Sequence, residues 1–264
     1  MTTIFAIVFL ILGFIVGSFL NVVIIRLNTQ KSFGGRSKCM HCRTQLSWYE
    51  LFPVFSFLFL RGKCKTCKTK ISWQYPFVEL VTGIIFACLF LKFQDLFYAG
   101  NSLVFAGTIA YYASMFSILI VIAVYDIRHK IIPDMLSLIF GILALAGLFF
   151  FSSFGFHIHF PSILEFLSGI IICLPFVLLW LVSRGKWMGL GDGKLAVGLG
   201  WLLGLSRALS GIVLAFWTGA IIGLILLAFS KKHGMKSEIP FAPFLVLGAI
   251  LAFLFELHLF PIGF

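Results

Sequence analysis

The chain has 264 residues, of which 61% are hydrophobic and 11% are charged, and its mean hydropathy is +1.11. A soluble domain carries about 25% charged residues, so the composition excludes an ordinary soluble protein and indicates a membrane protein. The formal net charge of +11 is compatible with nucleic-acid binding, but basic residues also gather on the cytoplasmic side of membrane proteins. We therefore interpret the charge as membrane topology and predict no nucleic-acid partner.

Eight apolar segments are candidate spans, because a membrane-spanning helix needs about 20 mostly apolar residues. In chain order they are residues 1–25, 76–91, 96–125, 135–156, 166–183, 187–206, 208–230 and 239–255. The uncharged part of the sixth, residues 195–206, is too short to cross a hydrocarbon core of about 30 Å. This span either begins near Trp187 or is partly re-entrant. The sequence thus predicts an all-α polytopic membrane protein with about eight transmembrane helices, a small cytoplasmic loop module and no internal repeat.

The distribution of Lys and Arg predicts the orientation of these spans. Eighteen of the 20 fall in the connections of one side, and ten of those lie within residues 26–75. The other eight are Arg128, Lys130, Arg184, Lys186, Lys194, Lys231, Lys232 and Lys236. The opposite side holds only Lys92 and Arg207. Because the basic side is normally cytoplasmic, we predict that both termini are non-cytoplasmic.

Two cysteine pairs mark the one extramembrane module, residues 27–75. Cys39 and Cys42 form the first CxxC pair, and Cys64 and Cys67 form the second. Four thiolates at this spacing are typical of a tetrahedral structural zinc site, and so small a module needs such a staple. Two disulfides are the alternative, but thiols stay reduced in the cytoplasm. We predict a closed Zn²⁺ site that stabilises the module and performs no chemistry.

Two aspartates at membrane depth are the candidate catalytic residues. Asp126 ends the third predicted span, and Asp192 lies at the start of the sixth. Ionisable groups at membrane depth are costly and mark functional sites. Two carboxylates that share one proton can hydrolyse a peptide bond, since one activates a water while the other polarises the carbonyl. The topology places both near the cytoplasmic boundary, whereas their contact is not visible in the sequence.

Two glycines precede the second aspartate in the segment that spans residues 189–195. Gly189 and Gly191 carry no side chain, so a substrate strand can approach the backbone there closely. The alternative is a loose loop that enters a helix.

Four other charged residues are candidate supporting or substrate-binding residues. Asp134 follows Pro133 at the start of the fourth span, where its charge complements the helix dipole. Lys194 is interpreted mainly as a topology anchor. Glu50 and Glu79 flank the zinc module, and Glu79 either binds an α-amino group or pairs with a nearby Arg or Lys.

These motifs together resemble those of the type IV prepilin peptidases, also called leader peptidase/N-methyltransferases, along nearly the whole chain. The matching residues are 17–23, 26–27, the four cysteines, 46, 48–51, 53, 61–63, 71–73, 75–76, Glu79, Asp126, 132–134, the GxGD signature of intramembrane aspartyl proteases within 189–195, and 240–245. Ala242 stands where glycine is frequent and Met40 where proline is common. We expect neither departure to touch the chemistry.

The resemblance implies an intramembrane aspartic endopeptidase of the bacterial cytoplasmic (inner) membrane. Its substrates would be prepilins or pseudopilins, which Asp126 and Asp192 would cut after a glycine, between a short basic leader and a hydrophobic helix. The enzyme would then methylate the new N-terminal amine, often of phenylalanine, with S-adenosylmethionine. Its partners would be these substrates and membrane lipid.

The resemblance also implies a division of the chain. The family ties methylation to its N-terminal cytoplasmic region, so the presence of that region favours the bifunctional form. We expect a first transmembrane helix over residues 1–26, the zinc-binding, methyltransferase-associated module over residues 27–75, and a seven-helix membrane domain with the protease site over residues 76–264.

Three other functions remain open at this stage. Intramembrane carboxylates also serve proton relays in transporters, although transport sites lie near the membrane midplane. A scaffold whose zinc module docks a partner, such as an assembly ATPase, would need no aspartates. A methyltransferase without protease activity would not need them either.

Overall fold

A computed structural model of the chain describes residues 1–29, 32, 34–152, 155–229 and 239–260. The basic connection with Lys231, Lys232 and Lys236 lies outside these described residues. Within them the chain forms nine α-helices, one short 3-10 helix and one hairpin of two strands, each two residues long. The prediction of an all-α membrane protein is therefore confirmed.

The helices follow the predicted spans closely. In chain order they are α1 (Thr2–Arg26), α2 (Phe55–Phe59), α3 (Gln74–Tyr98), α4 (Ser102–His129), α5 (Asp134–Phe150), α6 (Ile163–Ser183), α7 (Leu190–Leu203), α8 (Leu205–Phe229) and α9 (Ala242–Leu254). The 3-10 helix covers Trp48–Leu51, and the hairpin strands are β1 (Phe151–Ser152) and β2 (Gly155–Phe156). Among the described residues, α1, α3, α4, α6 and α8 are long and apolar enough to cross a membrane. The shorter α5, α7 and α9 fall on the other three predicted spans.

The predicted fourth span, residues 135–156, is longer than the helix found there. Its last residues form the hairpin, in which Phe151 pairs with Phe156. The ring of Phe151 stacks on that of Tyr111 in α4 at a centroid distance of 4.1 Å, and the Phe156 N–H donates to Thr108 Oγ1 over 3.0 Å. An apolar run does not by itself distinguish a helix from an extended aromatic segment.

The irregular sixth span is the short helix α7. Its 14 residues extend about 21 Å at 1.5 Å per residue, less than the hydrocarbon core. It packs against α5, α6, α8 and α9, so much of its surface faces protein. A Cβ added at Gly200 would lie 2.7 Å from the Cα of Gly169 in α6. Small residues of this kind allow helix backbones to approach closely inside a membrane.

The first compact unit is Met1–Tyr98, in which α1 packs along α3. A Cβ added at Gly17 would lie 2.7 Å from the Cα of Glu79, so glycine is needed at this helix contact. Buried Asn21 joins the same two helices, because its Nδ2 donates to the carbonyl of Tyr75 over 3.1 Å. The cysteine module, residues 27–75, lies between these helices in the sequence.

The second compact unit is Ala99–Phe264 and contains α4 to α9. Within it α4 contacts α5 and α9, and α8 contacts α6 and α9. Both candidate catalytic aspartates belong to this unit. The functional division into residues 1–26, 27–75 and 76–264 stays a prediction, and the compact units divide instead at Tyr98.

Candidate active site and metal centre

Asp126 lies in the last turn of α4 and is only 5% exposed. Its backbone carbonyl accepts a hydrogen bond from Lys130, which ends the helix in a left-handed conformation at φ 55°. Its side chain is fixed by another helix, because the Ala242 N–H at the start of α9 donates to Asp126 Oδ2 over 3.2 Å. The first N–H groups of a helix have no partner within that helix and favour a negative charge nearby.

Asp192 lies in the first turn of α7, three residues after the N-cap Gly189, and is 8% exposed. Its carboxylate is close enough to that of Asp126 for the two negative charges to repel one another. The end of α4 and the start of α7 therefore place the two aspartates singled out in the sequence within electrostatic range of one another. Like charges at close range favour a state in which the pair shares one proton.

The glycines before Asp192 have different surroundings. A Cβ added at Gly191 would lie 3.1 Å from the Cβ of Ile132, in the segment that connects α4 and α5. Gly191 thus lets this connection pack on the start of α7. Gly189 has an ordinary extended φ of −75°, and its added Cβ would make only a normal contact, 3.9 Å from Asp192 Oδ2. The loose-loop alternative is wrong for Gly191, which is helical.

Asp134 and Lys194 form an ion pair beside the aspartates. Lys194 Nζ lies 2.7 Å from Asp134 Oδ1, and the side chains are 46% and 76% exposed. Asp134 is in the first turn of α5, as the helix-dipole interpretation required. Exposed pairs contribute about 0–1 kcal/mol to stability, so this contact chiefly aligns the starts of α5 and α7.

The segment around Ala242 is a part of the site that sequence reasoning missed. The contact is made by the backbone N–H of Ala242, which glycine would also provide, so the expectation that the alanine does not affect the chemistry stays a prediction. The available signal was Pro243, since proline is common in the first turn of a helix and marks a helix start.

The four cysteines of the module come together. Their Sγ atoms all lie within 4.8 Å of one another, and those of Cys39 and Cys67 are 3.8 Å apart. Four sulfurs around one zinc ion at about 2.3 Å would be about 3.8 Å apart in a tetrahedron. All six cysteines of the chain lie in the described residues and are free thiols, so the disulfide alternative is not supported. The cluster can hold a tetrahedral metal ion.

The two cysteine pairs lie in two copies of one turn. The Cys39 N–H donates to the Thr44 carbonyl over 2.9 Å, and the Cys64 N–H donates to that of Thr69 over 2.9 Å. The basic residue after the second cysteine of each copy, Arg43 or Lys68, has a left-handed backbone with φ near 57°. The prediction of no internal repeat is therefore wrong. Residues 38–48 recur at 63–73 as Lys-Cys-x-x-Cys, a basic residue, Thr, a variable residue, Leu or Ile, Ser and Trp.

Each copy also prepares one sulfur as a metal ligand. The Thr69 hydroxyl lies 3.3 Å from Cys67 Sγ, and this hydrogen bond lowers the pKa of the Cys67 thiol to about 6. The hydroxyl of Thr44 likewise lowers the pKa of Cys42. Metals bind the thiolate rather than the thiol, so both hydrogen bonds favour metal binding near neutral pH.

The two glutamates of the first unit have separate environments. Glu50 Oε2 accepts a hydrogen bond from the Ser47 N–H over 2.8 Å and completes a capping box of the 3-10 helix. Glu79 is buried in α3, and its Oε2 accepts from the Val54 N–H over 2.7 Å. In the described part of the chain no Lys or Arg pairs with Glu79.

Comparison with known proteins identifies the family. The Bacterial Peptidase A24 N-terminal domain matches residues 11–93, and the Type IV leader peptidase family matches residues 113–225. A prepilin leader peptidase/N-methyltransferase of Bacillus subtilis is 31% identical, with 93% of this chain and 92% of that protein covered. The chain belongs to the type IV leader peptidase family. A relative with the same description in Stutzerimonas stutzeri is 31% identical, with 93% of this chain and 89% of that protein covered. Another in Myxococcus xanthus is 33% identical, with 89% of this chain and 67% of that protein covered. No solved structure matches the chain.

The family matches divide the site residues into two groups. The peptidase match contains Asp126, Asp134 and Asp192, whereas the N-terminal match contains the four cysteines, Glu50 and Glu79. Ala242, which contacts Asp126, lies beyond the peptidase match. In this member of the leader peptidase family, a segment outside the matched region thus contributes to the surroundings of the aspartates.

Proposed function

We propose that this chain removes the leader peptide from type IV prepilins or pseudopilins and then N-methylates the new N-terminal residue with S-adenosylmethionine. Membership of the leader peptidase family supports the first activity, and the description that its relatives share supports both. The observation that carries the mechanism is the presence of two buried carboxylates, Asp126 at the end of α4 and Asp192 at the start of α7, within electrostatic range of one another.

The two carboxylates act as one acid–base pair. The ionised carboxylate removes a proton from a water molecule, whose oxygen attacks the scissile carbonyl carbon. The protonated partner donates its proton to the carbonyl oxygen. When the C–N bond breaks, the first carboxylate passes the proton taken from water to the leaving amine, and a hydroxyl of the tetrahedral intermediate returns its proton to the other carboxylate. Because the pair titrates as a unit, the acid and base roles belong to Asp126 and Asp192 together.

The surroundings of the pair favour this chemistry. Both side chains are nearly excluded from solvent, and charges interact more strongly where water is excluded. The Ala242 N–H holds Asp126 Oδ2 in place at the N-terminus of α9. This hydrogen bond orients the Asp126 carboxylate within the pair.

The substrate approaches from the membrane. We propose that its apolar helix packs among the spans while its basic leader stays on the cytoplasmic side, where the basic connections of a multi-pass inner-membrane protein with non-cytoplasmic termini lie. A glycine before the cut lets the backbone leave helical geometry at little cost, so water can reach the bond. Asp134 and Lys194 then serve as supporting residues, Gly189 leaves space beside Asp192, and Gly191 lets the connection between α4 and α5 pack on the start of α7.

The cysteine module supports the second activity. We propose that Cys39, Cys42, Cys64 and Cys67 hold one Zn²⁺ ion in a closed site that fixes the two repeated turns. Bound S-adenosylmethionine supplies the methyl group. Glu50 supports the module from its 3-10 helix through the Ser47 N–H.

Mass spectrometry of a prepilin-derived substrate with the purified full chain tests both activities. Incubation without S-adenosylmethionine is expected to remove the leader, and incubation with it should add the mass of one methyl group to the mature product. Leader loss without the methyl shift would contradict the methyltransferase part. Failure of a folded chain to cleave several prepilins would contradict the proposed function as a whole.

A further inference from the structure

Glu79 is the one buried acidic side chain among the described residues of the first unit, with 8% of its surface exposed. The other acids there are partly exposed Glu50 and exposed Asp95. Glu79 lies near the start of α3, one turn after Tyr75, whose carbonyl is bonded to buried Asn21. A carboxylate thus lies inside the contact between α1 and α3.

The surroundings of Glu79 explain why its side chain carries an oxygen that accepts hydrogen bonds. Its Oε2 accepts the Val54 N–H over 2.7 Å, and the hydroxyl of Ser18 in α1 lies close to the carboxyl group. Val54 has a φ of 60°, which is strained for a β-branched residue, so the bond to Glu79 helps to hold a strained backbone. The amide oxygen of a glutamine would serve equally well for this purpose.

The negative charge of Glu79 is not explained by these contacts. A buried carboxylate is strongly disfavoured unless an opposite charge compensates it. In the part of the chain that the structure describes, no Lys, Arg or His side chain pairs with Glu79. Asn21 and Gln74, which bond to one another over 3.4 Å nearby, are neutral. Among the described residues, the carboxyl group of Glu79 thus has a neutral hydrogen-bond donor but no cationic partner.

We propose that Glu79 binds the α-ammonium group of the cleaved substrate and so forms the amine subsite of the methyl-transfer reaction. This inference rests on the proposed function, which creates a free ammonium directly at the start of an apolar helix. Glu79 lies near one end of a helix long enough to span the membrane, so an ammonium at the end of a membrane-inserted helix matches its depth.

Binding of two peptides to the detergent-solubilised full chain tests the subsite directly. Both would carry the N-terminal segment of a mature type IV pilin that begins with phenylalanine, one with a free amine and the other N-acetylated. We expect wild type to bind the free-amine peptide more tightly, by about tenfold to a hundredfold, as is typical of a hydrogen bond to a charged group. Equal affinity of wild type for the two peptides would overturn the proposal without any variant.

Glu79→Gln separates the charge from the hydrogen bond, because its amide oxygen still accepts the Val54 N–H. We expect this variant to lose the preference for the free amine, while its KM for methylation of pre-cleaved peptide rises. Asp95→Asn in the same helix is the matched control, since it removes an exposed carboxylate, and it should retain the wild-type preference.

The outcomes distinguish this inference from the proposed function. Unchanged amine preference in folded Glu79→Gln would show that Glu79 only holds Val54 and would overturn the inference, although both activities remain. Absence of cleavage and methylation in wild type would contradict the proposed function instead. Glu79→Asp, which keeps the charge, should retain part of the amine preference, and complete loss in that variant at unchanged thermal stability would also count against the subsite.

Discussion

At the scale of single residues, the backbone at Ala242 is as informative as the two aspartates. Both Asp126 and Asp192 are identified by their sequence context, since acids are rare in this chain and these two lie at the ends of apolar segments. The donor to Asp126 is 116 residues away and is a backbone group, which leaves no side-chain signal in the sequence. Such a contact becomes visible only when α4 and α9 are packed together.

Replacement of Ala242 by proline should impair cleavage by removing this donor. A hydrogen bond to a charged group contributes about 1.5–3 kcal/mol, so we expect the cleavage rate to fall by about tenfold to a hundredfold. Proline is tolerated at the first position of a helix, so α9 should still form. Cleavage of a prepilin-derived substrate, measured with circular dichroism of the same sample, checks this.

Ala242→Gly is the matched control for this substitution. It keeps the N–H and introduces the residue that is frequent in the family, so its cleavage rate should stay close to that of wild type. If the proline and glycine variants cleave equally well, the contact with Asp126 has no part in the reaction.

At the scale of helices, the short α7 positions Asp192 through close contacts with its neighbours. A Cβ added at Gly200 would lie 2.7 Å from both the Cα of Gly169 and the carbonyl of Ser168. Apolar composition predicted a span here, but not that its surface would be covered by four other helices. The enclosure depends on tertiary packing, and only the glycines of residues 198–200 hint at it.

Gly200→Ala should separate α6 from α7 and shift Asp192. Overpacking of this kind costs about 1–3 kcal/mol, so we expect a lower unfolding temperature together with slower cleavage. Gly107→Ala in α4 is the control, because an added Cβ there meets no atom within 4 Å in the described part of the chain. A Gly200 variant as stable and active as the Gly107 variant would refute the importance of this contact.

The repeated turns of the cysteine module illustrate a signal that was present in the sequence. Periodic hydrophobicity does not detect two extramembrane segments of eleven residues, whereas direct alignment of residues 38–48 with 63–73 does. The spacing of the cysteines did predict their clustering, because the local turn chemistry of each CxxC pair is short-range.

Metal analysis of the purified chain should find one zinc ion per molecule, and substitution of all four cysteines by serine should remove it. Because the cluster fixes both turns, the variant is expected to lose methylation at least as severely as cleavage. Inductively coupled plasma mass spectrometry and the two activity assays on the same preparation measure this. Full methylation by a folded, zinc-free variant would contradict a structural role for the metal.

At the scale of the whole molecule, sequence reasoning predicted the eight main helices and the family, and it erred where local pattern and tertiary structure differ. The apolar run after α5 was assigned to a helix, but its aromatic residues pair and pack on α4 instead. The sequence indicated that the end of α4 and the start of α7 lie on one side of the membrane. Their proximity depends on how α5 and α6, which separate α4 from α7 in the chain, pack against their neighbours. No local sequence pattern specifies that packing.

The central claim is that Asp126 and Asp192 act as one catalytic pair. The most direct test is mass spectrometry of leader removal by wild type, Asp126→Asn, Asp192→Asn and the double variant, with Asp95→Asn as the control for loss of a carboxylate. We expect each single variant to abolish cleavage at unchanged thermal stability, the double variant to be no worse than either, and the control to cleave normally. Appreciable cleavage by folded Asp126→Asn or Asp192→Asn would contradict the shared-proton mechanism.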